Sequence, residues 1–202
     1  GLKWAIDHGA SVINMSLGVE HDQGGGPPHE EVVRYAQRRG VTIVAASGND
    51  GMQTQYYPGA LDYVITVGAS TPHDAVASFS TYGRQVDVVA PGSDIYSSYV
   101  NGTYAFASGT SQAAPFVTGV VALLKSFARQ RGEDLPDRDI KEILLQSADR
   151  DGIRLRDTRS GFGRIHAGDA LTLLRHRLEN PRKASSAFRS LPGRLRSQHS
   201  YA

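Results

Sequence analysis

Apolar positions along this chain come in two arrangements that alternate: short unbroken runs and stripes at helical spacing. The runs fall at 11–16, 41–46, 63–68 and 86–90. Each carries apolar residues on both faces, as a parallel strand covered by helices must. Breakers end them: Leu17-Gly18, Ser47-Gly48-Asn49-Asp50-Gly51 and Pro91-Gly92. The stripes predict helices over 2–8, 30–39, from 111 to about 129, 137–146 and 169–178. In the second of these, Val32, Val33, Tyr35 and Ala36 mark the buried side, and Gly40 supplies the stop. Residues 23–28 read as a loop, and 161–165 as a turn or short strand. Strands alternating with helices predict an α/β layered fold with a mostly parallel sheet. Ligands of such sheets bind at the carboxyl ends of the strands, which here means Ser16-Leu17-Gly18 and Ser47-Gly48-Asn49.

Composition narrows the class without naming a chemistry. The 202 residues suit one domain, and 40% hydrophobic content is enough for a core. The absence of cysteine removes disulfides and thiol chemistry. No apolar run reaches the roughly 18 residues of a membrane span. The net charge of +2 favours no partner. Charge is uneven, however: from Arg175 onward seven basic residues face a single acid, Glu179. Residues 1–178 are therefore expected to form the domain, and 179–202 a basic, disordered tail with no nucleic-acid role.

The chemistry concentrates in Gly109-Thr110-Ser111-Gln112-Ala113-Ala114-Pro115, directly ahead of an apolar helix. A serine there sits among the unpaired N–H groups of a first turn, where the helix dipole favours negative charge. An oxyanion would be stabilised beside the attacking atom. Pro115 is expected within that first turn, where a missing N–H costs little. A plain N-cap explains the same residues without catalysis.

Three motifs in one order decide between these: Val12-Ile13-Asn14-Met15-Ser16-Leu17-Gly18, Ala45-Ala46-Ser47-Gly48-Asn49, and the Ser111 segment. Together they resemble the subtilisin-like serine proteases (subtilases, peptidase S8). Tyr57-Pro58-Gly59, Val64-Ile65-Thr66-Val67-Gly68-Ala69, Val86 to Gly92 and Gly161-Phe162-Gly163-Arg164-Ile165 are similar to further segments of that family. The resemblance covers residues 2–174. It implies a three-layer subtilisin-like fold and a secreted serine endopeptidase acting on protein or peptide substrates. Ser111 would be the acylated nucleophile. Asn49 and the Ser111 N–H would be the oxyanion donors. Ser16, Leu17 and Gly18 would pair with the substrate backbone, and Ala46, Ser47 and Gly48 would form the facing wall. No cofactor is implied for the chemistry. A structural calcium is implied for some members, on carbonyls matching Gly59, Leu61 and Val64 with Asp87 as the acid.

The departures are as informative. The family's acid and base segments do not occur, and none of the seven histidines (His8, His21, His29, His73, His166, His176, His199) stands in a matching context. The missing pair is expected upstream of Gly1, so the chain is expected to be the C-terminal part of a catalytic domain whose N-terminal portion is missing. Its partner would be that upstream part. Alone, it is expected to be inactive and aggregation-prone, because strand 11–16 would present an unpaired edge. Phe116, where the family often has His, is expected to change only packing. Two other readings stay open: a degenerate subtilase that binds peptides, and an α/β-hydrolase with Ser111, Asp151 and His166 in triad order. Against the second, Ala113 stands where the nucleophile elbow wants glycine.

Overall fold

The computed structural model describes residues 1–21, 26–150 and 156–180. In chain order the elements are α1 (Leu2–Asp7), β1 (Val12–Met15), β2 (Val19–Glu20), α2 (Glu30–Arg38), β3 (Thr42–Ala46), β4 (Tyr56–Tyr57), β5 (Val64–Ser70) and β6 (Val88–Pro91). There follow β7 (Ile95–Ser98), a one-turn 3-10 helix, β8 (Tyr104–Ala107), α3 (Thr110–Arg129), α4 (Asp137–Ser147) and α5 (Ala167–Glu179).

The four apolar runs become one parallel sheet in the order β1-β3-β5-β6. Alternation along β3 shows why both faces must be apolar. Val44 joins a core with Val117, Val121 and Leu124 of α3, Ile140 and Leu144 of α4 and Leu174 of α5. Its neighbours Ile43 and Ala45 join the opposite core with Ile6 of α1 and Val33 and Ala36 of α2. The result is the expected three layers, helices on both faces of a parallel sheet. Each fully buried Leu or Ile contributes about 1.5–3 kcal/mol of hydrophobic stabilisation.

Residues 161–165 run beside β6. Val89 N–H donates to the Gly163 carbonyl at 2.9 Å, and Ile165 N–H donates to the Val89 carbonyl at 2.9 Å. Gly161, at φ +62°, makes this approach fit: a Cβ there would lie 2.3 Å from the Asp87 carbonyl oxygen.

Two expectations change. Pro115 is the sixth residue of α3 rather than a first-turn residue. Its missing N–H therefore removes the helical partner of the Ser111 carbonyl. The paired strands β2–β4 and β7–β8 were not expected. β2 and β4 are two residues long, and β7–β8 exposes Tyr96, Tyr104 and Phe106, so neither burial pattern nor period marks them. Beyond Asn180, the basic tail lies outside the described residues, as does Asp151.

Candidate active site

The first turn of α3 lies at the carboxyl ends of β1 and β3, and most of the candidate residues meet there. Ser111, Asn49, Thr110, Leu17, Gly18 and Ala46 are among the residues lining one cleft of about 370 Å³. Ser111 and Ser16 are interlocked. The Ser16 hydroxyl donates to the Ser111 carbonyl at 2.7 Å. The Ser111 hydroxyl donates to the Ser16 carbonyl at 3.1 Å. The first of these bonds satisfies the carbonyl that Pro115 leaves without a helical partner. Asn14 Nδ2 in turn donates to Ser16 Oγ at 2.9 Å, and the Thr118 hydroxyl to Asn14 Oδ1 at 2.9 Å. The end of β1 and the start of α3 are thus tied by side chains from both.

Asn49 is oriented by a residue the sequence did not single out. Thr110, fully buried, donates to Asn49 Oδ1 from its N–H at 2.8 Å and its hydroxyl at 2.9 Å. A backbone N–H can only donate, so the carboxamide oxygen must face Thr110 and Nδ2 is left to face elsewhere. Nothing local in Gly-Thr-Ser distinguishes a threonine that orients an amide from one that caps a helix.

Ser47 differs from its neighbours. It is buried, and its hydroxyl donates to the Thr81 carbonyl at 3.0 Å, away from the cleft. The wall is made by Ala46 and Gly48. Two further residues line the cleft, Asp50 and Tyr56. Burial works to raise the Asp50 pKa, but hydrogen bonds from Thr54, Thr81, the Met52 N–H and Tyr56 outweigh it and hold the carboxyl below its ordinary value. Burial, and then the carboxylates of Glu20 and Asp50, push the Tyr56 phenol above its ordinary value.

Among the described residues no histidine hydrogen-bonds to Ser111. His166 is the cap of α5, its Nδ1 accepting from the Asp169 N–H at 3.1 Å. His8 stacks on Trp4 with ring centroids 4.0 Å apart. His29 stands at the start of α2.

The carbonyls considered for calcium do not fit a metal. Lys141 of α4 places its ammonium 2.8 Å from Asp87 Oδ2 and 2.8 Å from the Val64 carbonyl. The other donor to Asp87 Oδ2 is the Thr66 N–H at 2.9 Å, and the Thr66 hydroxyl donates to the Gly59 carbonyl. The Leu61 carbonyl accepts from the Val64 N–H at 3.0 Å, and the one carboxylate of the set, Asp87, is neutralised by Lys141. Among the described residues no cluster of three or more His, Asp or Glu side chains is arranged for a metal, and no helix is long and apolar enough to cross a membrane.

A family model described as "Subtilase family" (peptidase S8) matches residues 1–163. The chain is 43% identical over 169 residues to the thermophilic serine proteinase of Bacillus sp. strain AK1, covering 84% of this chain and 39% of that protein. It is 46% identical over 171 residues to thermitase of Thermoactinomyces vulgaris, covering 85% of this chain and 57% of the relative. The chain thus spans about half the length of these curated relatives. Among solved structures, the patellamide maturation protease PatA superposes with a TM-score of 0.77 at 36% identity, covering 87% of this chain and 66% of that one.

Proposed function

The chain belongs to the subtilase family, and we propose that its cleft carries the nucleophile and oxyanion donors of a serine endopeptidase. The observation that supports this most is convergence: Ser111 and Asn49, which Thr110 orients, line one cleft although 62 positions separate them. Family membership supports proteolysis as the activity, with no cofactor needed for the chemistry. The α/β-hydrolase reading falls with the fold, and His166 is occupied as a helix cap.

In this reading Ser111 Oγ attacks the scissile carbonyl carbon while a base removes its proton. The carbonyl oxygen becomes an oxyanion and accepts from Asn49 Nδ2 and the Ser111 N–H. Collapse breaks the C–N bond, the amine leaves with the proton, and water then hydrolyses the acyl-serine. Base and acid come from a segment N-terminal to residue 1. The open edge of the sheet supports its existence: β1 has no partner on its outer side among the described residues. Beside it, α3 shows Phe116 and Leu123 to solvent, 45% and 53% exposed. An inner helix of a layered fold covers such a stripe. Secretion, expected from the resemblance, belongs to the same proposal.

The test is labelling of the longer protein with a peptidyl phosphonate diester, read by mass spectrometry. Labelling on Ser111 is expected, with none in Ser111→Ala. Asn49→Ala is expected to slow labelling about 10²- to 10³-fold, the loss known for such donors in enzymes of this same family. A folded protein that takes no label is a peptide-binding module instead.

A further inference from the structure

We propose that Tyr56 closes the slot for the residue preceding the scissile bond and restricts that residue to glycine, alanine or serine. The inference rests on the protease reading and names its substrate class. The slot lies between the Leu17-Gly18 and Ala46–Gly48 walls, and Tyr56 lines the same cleft. The Tyr56 side chain touches both walls. A Cβ added to Gly48 would lie 2.4 Å from Tyr56 Cδ2 and 2.6 Å from Cε2. A Cβ added to Gly18 would lie 3.1 Å from Tyr56 Cβ and 3.8 Å from Cδ1. The two glycines are the places where the walls admit the ring, one on each side. The ring takes up the space between the two glycines, so a side chain entering the slot at that level meets Tyr56.

The ring is also held in place. Tyr56 pairs through its backbone with Glu20, β4 against β2. Its hydroxyl donates to Glu20 Oε1 at 3.1 Å and lies 3.5 Å from Asp50 Oδ2. Swinging the ring out would break the contact with a carboxylate and undo its packing on Gly48. The same bonds argue against a preference for lysine or arginine. Asp50 Oδ1 accepts from the Thr81 hydroxyl at 2.5 Å and from the Met52 N–H at 2.9 Å, and Glu20 Oε1 accepts from Tyr56. Each carboxylate thus already accepts a hydrogen bond from a neighbouring group.

The test compares kcat/KM of the longer protein on tetrapeptide anilides that differ only in the last residue: Ala, Phe or Lys. The wild type is expected to favour Ala over both by at least about 10-fold, the scale on which pocket size discriminates. Tyr56→Gly is expected to raise the Phe-to-Ala ratio at least about 10-fold. Tyr56→Phe keeps the ring and is expected to keep the Ala preference. Titration with the phosphonate normalises each variant to its folded sites. A wild type preferring Phe or Lys would overturn the proposal, as would Tyr56→Gly with an unchanged ratio. No turnover of any anilide by the wild type would sink the protease reading, and this inference with it.

Discussion

The two edges of the four-stranded sheet are finished in different ways. At the β6 edge the chain returns from α4 and lays residues 161–165 alongside, with backbone hydrogen bonds and Gly161 pressed on Asp87. At the β1 edge nothing among the described residues pairs with the outer side of the strand, and Phe116 and Leu123 of α3 are exposed. The candidate nucleophile lies at the open edge, joined to the end of β1 through Ser16. The closed edge serves stability. The open one is where the proposed reading needs more chain, both to cover apolar surface and to bring a base to Ser111.

The most severe way to break this contrast is to compare residues 1–202 alone with the longer protein. A serine without its base is a weak nucleophile at neutral pH. Hydrolysis of a peptide amide by the short chain is expected to fall by at least about 10⁴-fold. Its uncovered edge is expected to bind apolar dye and self-associate. Equal turnover, or a dye-silent monomer, would show the β1 edge to be complete as it stands.

What the sequence revealed follows the same division. The buried strands and helices were legible because burial on both faces leaves unbroken apolar runs such as Thr42–Ala46. Ser111, Asn49, Ser16 and Gly18 were legible because their motifs stand at strand ends and a helix start. Tyr56 was not: β4 is two residues long, and a loop returns it to Gly48, a contact without a local signature. Thr110 looked like a cap. The hairpin of β7 and β8 hid because its aromatic residues face solvent, where Tyr96 stacks on Tyr104. Pro115 stands one turn deeper in α3 than its motif suggests, and this depth is what frees the Ser111 carbonyl for Ser16.

A milder perturbation sharpens the comparison by touching each edge once. Gly161→Ala forces a side chain into a positive φ and against the Asp87 carbonyl. A cost of roughly 2–4 kcal/mol is expected, combining backbone strain with a steric clash. Asn14→Ala at the exposed position of β1 is expected to cost less than about 1 kcal/mol. Its effect should appear instead in the rate of phosphonate labelling, since Asn14 supports Ser16. Urea denaturation of both variants checks this. Equal losses of stability would erase the distinction between a structural and a functional edge.

The smallest effect is a pH dependence at Lys125, whose side chain is almost fully buried on α3. Its ammonium donates to the Gly40 carbonyl at 2.7 Å and faces Asp137 at 3.3 Å. Burial is the largest influence and lowers its pKa below 10.5; Asp137 and Asp134 oppose this, and Arg129 adds to it. With the folded value below the unfolded one, the unfolded chain holds more proton between the two. Stability from this group therefore rises with pH across that window. The penalty is fully present below the lowered value and gone above about pH 10.5. One proton limits the slope to about 1.4 kcal/mol per pH unit. Urea midpoints of the wild type minus those of Lys125→Met are expected to climb with rising pH across the window below about pH 10.5. Lys125 also lines the groove formed with Ser11, Val12 and Arg129 beside β1. A segment covering that edge would remove water from the ammonium and widen the window downward. A longer protein with the same pH profile as residues 1–202 would mean that the upstream segment does not pack there.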